Sequence, residues 1–257
     1  MSDAGRFLRR FAFGAAMAVA GTGLILAFSV VNPGQSLAAD TKAKEPGNAV
    51  GAGANWQTNV NGKGAGETLT LDDKQLAVVK TINDYFNGIN DLRGKFLQTD
   101  GEQQQQKGEF YIKRPGKFRF VYGAPSKLVI LSDGDTLSFE DYDLKHADRY
   151  PLDSTPFRLL LAKNVNLAHD SDVKELTQTD DLVTMTVQDK ANENQGQIQL
   201  FFVKNAGVLE LKEWVIVGAQ GDNTRVEIAD LVRDKPVDAN YFQNAPLEIE
   251  GAKPRQK

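Results

Sequence analysis

The sequence predicts a mainly β domain, built from a curved antiparallel sheet of about ten strands with one N-terminal helix and one short central helix. Apolar residues recur at steps of three and four between Leu71 and Ile89, which is the spacing of a helix face. Short alternating segments separated by turn residues then continue from Lys117 to Val232. Between two groups of these segments, a proline precedes the apolar stretch FRLLLA at 157–162.

The N-terminal segment has the pattern of an export signal. Residues 1–10 carry three arginines, and residues 11–31 contain no charged residue. Ser36 and Ala38 then occupy the −3 and −1 positions of a small-x-small cleavage site. We therefore expect residues 1–38 to be a signal peptide. The apolar run is also long enough to span a bilayer, so an uncleaved N-terminal anchor is the alternative.

A glycine-rich stretch follows the signal. Residues 39–66 contain six glycines and almost no large apolar side chains apart from Trp56. Such a composition cannot bury enough surface to offset the entropy of ordering, which predicts a flexible linker at 39–67. The folded domain is expected at 68–250 and a short tail at 251–257, so ~180–190 residues form one domain of ordinary size.

The first element of the domain is an amphipathic helix of about four turns. Asp72 and Asp73 lie in its first turn, where carboxylates favour the positive end of the helix dipole, and Gly88 provides a stop. Its apolar positions are Leu76, Val79, Ile82, Phe86 and Ile89.

The strands are predicted from alternation and from the turns that separate them. Phe118, Phe120 and Tyr122 alternate with other residues, and a Ser-Asp-Gly turn starts at Ser132. Thr155–Pro156 introduces the central helix, because proline is favoured in the first turn. The remaining alternating segments are 128–130, 137–139, 182–187, 198–203, 208–217 and 224–232.

Composition excludes several classes of function. The chain has no cysteine, so it has no disulfide, no thiolate-bound metal, no thiol nucleophile and no lipid-modified N-terminal cysteine of its own. It has two histidines, a net charge of −4 and a pI near 5.4, which argue against an imidazole metal site and against nucleic-acid binding. We expect no cofactor and no metal.

Enzyme motifs are present only as fragments. The Ser-x-x-Lys spacing at Ser171–Lys174 lies in a polar segment without its companion motifs. Four aspartates cluster between Asp133 and Asp143, but no glycine occupies the sixth position of a calcium loop. The sequence therefore favours a binding protein over an enzyme.

Four segments together resemble a known family. They are FLQTDGEQQQQKGEFYIKRPGKFRFVY at 96–122, LVILSDGDTL at 128–137, TPFRLLLA at 155–162 and DANYFQNAP at 238–246. This ordered set is similar to the motifs of LolA, the periplasmic lipoprotein carrier family, over roughly residues 70–248. Ser138 departs from the pattern, since an aromatic residue is common there.

The resemblance implies an unclosed antiparallel β-barrel of about ten to eleven strands, with an apolar concave face and helices that act as a lid. It implies a periplasmic monomer that shelters the acyl chains of lipoproteins. Its partners would be an inner-membrane ABC-type lipoprotein-releasing complex and an outer-membrane acceptor. The alternatives are a periplasmic lipid- or lipoprotein-sensing domain and a carrier of another amphiphile.

The candidate cavity residues share one face of the alternating strands. Periodicity alone favours a filled core at these positions, and the resemblance is what favours an acyl-chain cavity. The resemblance also implies that Arg114 is a gate residue that donates hydrogen bonds to lid carbonyls, where the residues alone predict a solvated charge at a strand end. The cavity candidates are Phe118, Phe120, Leu128, Ile130, Leu137 and Phe139.

Overall fold

The computed structural model describes residues 67–218 and 221–243. The predicted signal peptide, nearly all of the predicted linker and the C-terminal tail lie outside the described residues. Within the described ranges, no helix is both long enough and apolar enough to cross a bilayer.

The predicted N-terminal helix is α1, Asp73–Asn87. Its N-cap is Asp72, whose side chain accepts from the backbone N–H of Gln75, while the Gln75 side chain accepts from the backbone N–H of Asp72. This reciprocal pair is a capping box, which satisfies helix N–H groups that have no partner inside the helix. Gly88 ends the helix, as predicted. Leu76 was expected on the buried face of the helix, but it is 44% exposed.

Eleven strands make up the sheet in the described residues. The first six are β1 Asp91–Thr99, β2 Gln105–Lys113, β3 Lys117–Tyr122, β4 Leu128–Asp133, β5 Thr136–Asp141 and β6 His146–Pro151. The last five are β7 Ser171–Gln178, β8 Leu182–Asp189, β9 Gln197–Asn205, β10 Val208–Val217 and β11 Asn223–Arg233.

Two antiparallel meanders join in the middle of this sheet. The strand order is β6-β5-β4-β3-β2-β1-β11-β10-β9-β8-β7, so β1 pairs with the last strand as well as with β2. The outer strands β6 and β7 do not pair with each other. The sheet is therefore open at one seam, which confirms the predicted mainly β, unclosed antiparallel barrel.

Four strands did not stand out as alternating segments in the sequence. β6 and β7 are the edge strands, and many of their side chains are exposed and polar. β2 begins in a glutamine-rich stretch, and β1 contains Gly94. Their positions are set by pairing with neighbouring strands, which local composition does not record.

The central helix α2 spans Phe157–Leu161, and a second short helix, α3, spans Leu167–Asp170. Pro156 occupies the residue immediately before α2 and has a φ of −66°, close to the value that the proline ring imposes. Three-residue and four-residue 3-10 turns occur at Leu152–Ser154, Glu193–Gln195 and Ala239–Phe242.

The main hydrophobic core lies between the helices and one face of the sheet, which we call the inner face. It contains Val79 and Ile82 of α1, Leu159 of α2, and buried residues from both meanders. A second, smaller cluster on the opposite face joins Val129 and Leu131 to Phe242. Strand β4 is therefore buried on both faces, because the C-terminal 3-10 turn covers its other side.

Gly108 of β2 is required by a close approach of backbone and ring. A Cβ atom at this position would lie 2.1 Å from the Val121 carbonyl oxygen and 2.7 Å from the Phe96 ring. Phe96 pairs with Gly108 across β1 and β2, so its ring lies over the position that a side chain would occupy.

We expect Gly108→Ala to lower the free energy of unfolding by about 2 kcal/mol, because an added methyl group overlaps both the Val121 carbonyl oxygen of β3 and the Phe96 ring. Urea unfolding checks this result. The matched control is Gly101→Ala, where the nearest atom to an added Cβ is 3.7 Å away. Equal stabilities of the two variants would contradict the packing argument.

Candidate functional site

A cavity opens between the helices and the inner face of the sheet. It has a volume of about 670 Å³, part of which is open to solvent. Fourteen of the fifteen residues that line it are apolar or aromatic, and the fifteenth is Arg114. From the helical side, these are Tyr85, Phe86, Ile89, Phe157, Leu160 and Leu161. From the sheet, they are Leu92, Phe110, Ile112, Phe118, Phe120, Leu211, Trp214 and Ile228.

Aromatic rings form the sheet side of the cavity. Phe120 stacks on Phe110, with ring centroids 5.5 Å apart, because the two residues are register partners on β2 and β3. Alternation along β3 places Phe118 on the same face. Phe118 contacts Phe157 of α2, with centroids 5.5 Å apart, so this pair packs the short helix against the sheet.

Two of the six predicted cavity residues, Phe118 and Phe120, line this cavity. The other four lie on the inner face of β4 and β5, where they belong to the main core or pack against it. Register explains their common face, since Phe120 pairs with Ile130, which in turn pairs with Phe139. A role in acyl-chain contact stays a prediction for all six residues: Phe118, Phe120, Leu128, Ile130, Leu137 and Phe139.

Sequence reasoning missed the residues that the second meander contributes. Leu211 and Trp214 both line the cavity although they are three residues apart on β10. Strict alternation would put them on opposite faces. The β9–β10 register shifts between Leu211 and Glu213, and this bulge returns Trp214 to the inner face. No local signal in the sequence marks the bulge.

Tyr85 attaches helix α1 to this part of the sheet. Its hydroxyl oxygen accepts a hydrogen bond from the backbone N–H of Leu211 at 3.1 Å. The Arg233 guanidinium lies over its ring, 4.4 Å from the centroid. Burial raises the pKa of the Tyr85 hydroxyl above its usual value, so the neutral phenol is the form that lines the cavity.

Arg114 lies directly after β2, at the end of α2. Its Nη2 donates to the carbonyl oxygen of Ala162, the residue that follows the helix. The same atom lies 3.5 Å from Oδ1 of Asn87, at the end of α1. Half-burial lowers the pKa of the Arg114 guanidinium, although arginine stays charged in proteins. Arg114 therefore contacts a backbone carbonyl directly after α2, and its role as a gate residue stays a prediction.

Further hydrogen bonds hold the same end of α2. The Gly116 N–H donates to the carbonyl oxygen of Leu161 at 3.0 Å. Asn87 both donates to the Val165 carbonyl at 3.0 Å and accepts from the Val165 N–H at 2.8 Å. The β2–β3 turn and the end of α1 therefore fix the chain where it leaves the helix.

The body of α2 is tied to the other meander by an ion pair. Arg158 donates from Nε and Nη2 to the two carboxylate oxygens of Asp189, whose side chain is 1% exposed. The Asp189 carboxylate also accepts from the Ala191 N–H at 2.8 Å and the Asn192 amide at 3.1 Å. Hydrogen bonding to Asp189 raises the pKa of Arg158. Helix α2 is consequently fixed to both meanders.

The described part of the chain contains no preformed metal-binding site. No group of three or more His, Asp or Glu side chains there is placed to hold a metal ion. The site consists of apolar surface, one guanidinium and a short helix held by directional bonds.

Sequence comparison finds relatives described as outer-membrane lipoprotein carrier proteins. The outer-membrane lipoprotein carrier protein of Halorhodospira halophila is 27% identical over 190 residues, which cover 70% of this chain and 87% of that protein. The carrier protein of the same description from Chromobacterium violaceum is 28% identical over 180 residues, covering 67% and 85% of the two chains.

A solved structure described as a LolA superfamily protein also aligns with this chain. The crystal structure of a LolA superfamily protein from Nitrosomonas europaea covers 66% of this chain and 99% of that chain, with a TM-score of 0.36 and 11% identity. The family model described as outer membrane lipoprotein carrier protein LolA matches residues 87–245. Since that match spans more than half of the sequence, this chain belongs to the LolA family of lipoprotein carrier proteins.

Proposed function

We propose that this protein is a periplasmic carrier that binds the acyl chains of lipoproteins in its cavity and moves them from the inner to the outer membrane. It forms and breaks no covalent bond, so binding and release are its whole activity. An inner-membrane ABC-type complex supplies the cargo, an outer-membrane acceptor receives it, and the carrier works as a monomer.

The energetic problem is the exposure of hydrocarbon to water. Each buried methylene contributes about 0.8 kcal/mol, so an acyl chain of about 15 methylenes costs on the order of 12 kcal/mol to expose. A carrier must offer a replacement apolar surface. It must also release the chain again, which requires that part of the binding energy be offset.

The observation that carries the proposal is an apolar cavity bordered by a short helix that directional bonds hold in place. The cavity lining provides the apolar surface. Helix α2 contributes Phe157, Leu160 and Leu161 to that lining, yet hydrogen bonds and an ion pair hold it in place. Moving α2 to admit a chain breaks directional bonds, and their recovery on closure favours release.

The direct experiment is native mass spectrometry of the protein purified from its own periplasm under gentle conditions. We expect co-purified acylated polypeptide, and we expect the protein to extract a lipoprotein from inner-membrane vesicles. Recovery of a lipid without any lipoprotein would favour the carrier of another amphiphile. Failure of both measurements would contradict the carrier function.

Leu160 offers a test with a small effect on folding, because it lines the cavity from α2 and is only partly buried. We expect Leu160→Gln to weaken binding of a fluorescent fatty-acyl probe about tenfold. Burying a leucine side chain against the probe contributes about 1.5 kcal/mol or more to the free energy of binding, and glutamine does not supply this contribution. The matched control is Leu144→Gln, because Leu144 is 71% exposed on the β5–β6 turn. Equal affinities of the two variants would place the acyl site elsewhere.

A further inference from the structure

The lining residue Trp214 carries an indole N–H group that has no evident role in a purely apolar cavity. The side chain of Trp214 is among the lining residues and is 7% exposed. Its indole Nε1 is shielded from solvent and has no hydrogen-bond partner among the described residues. A buried N–H group without a partner is unfavourable, so such groups are rare and call for an explanation.

The neighbouring ring does not supply a full partner. The Phe120 ring meets the indole edge to face, with centroids 6.2 Å apart. A ring face is a weak acceptor compared with a carbonyl oxygen. A phenylalanine at this position would keep an apolar ring in the lining without introducing an unpaired donor.

The strand is shaped locally so that Trp214 reaches the cavity. The register shift in β10 between Leu211 and Glu213 puts Leu211 and Trp214 on the inner face together. Bulges are frequent beside functional sites, where they redirect a side chain.

The second unpaired polar atom of the lining, Arg114 Nε, is also an N–H donor. A ligand that carries a hydrogen-bond acceptor would give such a donor a partner. Plain hydrocarbon offers no acceptor, whereas an acyl chain carries an ester or amide carbonyl oxygen where it joins its backbone. We propose that the Trp214 indole N–H donates a hydrogen bond to this carbonyl oxygen, so that the cavity prefers acyl chains to alkyl chains. This inference rests on the proposed function, and it names Trp214 as a specificity residue of the same site.

The test uses two soluble lipids that share a choline headgroup and a sixteen-carbon chain. One is 1-palmitoyl-lysophosphatidylcholine, which has an ester carbonyl, and the other is its 1-hexadecyl ether, which has none. Binding is measured by calorimetry on the wild-type chain and on Trp214→Phe. We expect the wild type to prefer the ester by about fivefold, the contribution of one neutral hydrogen bond. We expect Trp214→Phe to lose this preference and keep its affinity for the ether.

A second variant separates the N–H from the shape of the ring. In a Trp56→Phe background, Trp214 is the remaining tryptophan of the chain. There it is replaced by benzothienylalanine, which has sulfur in place of the N–H. We expect the same loss of preference without a change in thermal stability. An ester preference that persists in both variants, or an equal loss of affinity for both lipids, would overturn the inference and leave the carrier function standing. Absence of binding of either lipid to the wild type would overturn both.

Discussion

Arg114→Leu is expected to retain bound lipoprotein about tenfold to hundredfold more tightly than the wild type while keeping the fold. The Arg114 guanidinium donates to the Ala162 carbonyl in the structure, and we expect this bond to break when α2 moves away. A hydrogen bond from a charged donor contributes about 1.5–3 kcal/mol, and about 1.4 kcal/mol corresponds to a factor of ten. Removing it disfavours the closed arrangement and so disfavours release.

The measurement is the fraction of lipoprotein that passes from preloaded carrier to outer-membrane vesicles. Arg149→Leu is the matched control, because Arg149 is an exposed arginine on the edge strand β6. Circular dichroism and thermal unfolding of both variants report the fold. If Arg114→Leu transferred lipoprotein at the wild-type rate, the proposed role of Arg114 as a gate residue would be wrong.

Arg158→Met is expected to lower the free energy of unfolding by about 3 kcal/mol, because it leaves the Asp189 carboxylate buried without its cation. The Asp189 side chain is 1% exposed, and its remaining partners are one backbone N–H and one amide. The methionine retains most of the apolar stem, so lost packing contributes little.

Urea unfolding of Arg158→Met, of Arg149→Met and of the double variant Arg158→Met/Asp189→Asn checks this expectation. The double variant should recover part of the loss, since it no longer buries a charge, and the exposed control should resemble the wild type. If Arg158→Met matched Arg149→Met, the ion pair would have no role in holding α2.

Much of the fold could be predicted from short segments. Alternation in β3, β4 and β5 and in the strands from β8 onward identified a meander. The spacing in α1 identified most of its buried face, but Leu76 is exposed and Tyr85 is buried outside the predicted positions. These patterns are local, because a residue's face depends on its neighbours in the same element. The edge strand β7 was missed because its register with β8 shifts between Val173 and Glu175, so its core residues Val173 and Leu176 do not follow strict alternation.

The cavity could be predicted only in part, as Phe118 and Phe120 illustrate. Both lie on a strand with clear alternation, and both line the cavity. Trp214 reaches the same space from a strand whose alternation is broken by a bulge, about a hundred positions away in the chain. Its neighbours are brought to it by the pairing of β1 with β11, which no local pattern encodes.

By itself, the sequence determined the class of the molecule: a mainly β chain without cysteine, with one amphipathic N-terminal helix, one short central helix and the ordered motifs of the LolA family. Those properties depend on residue types and on spacings of a few residues. Only the tertiary structure decided which apolar residues enclose a cavity and which fill a core, and it alone brought Arg114 to Ala162 and Arg158 to Asp189. The physical reason is that a cavity is a property of how two meanders and a helix pack, whereas hydrophobicity at a position only says that the residue avoids water.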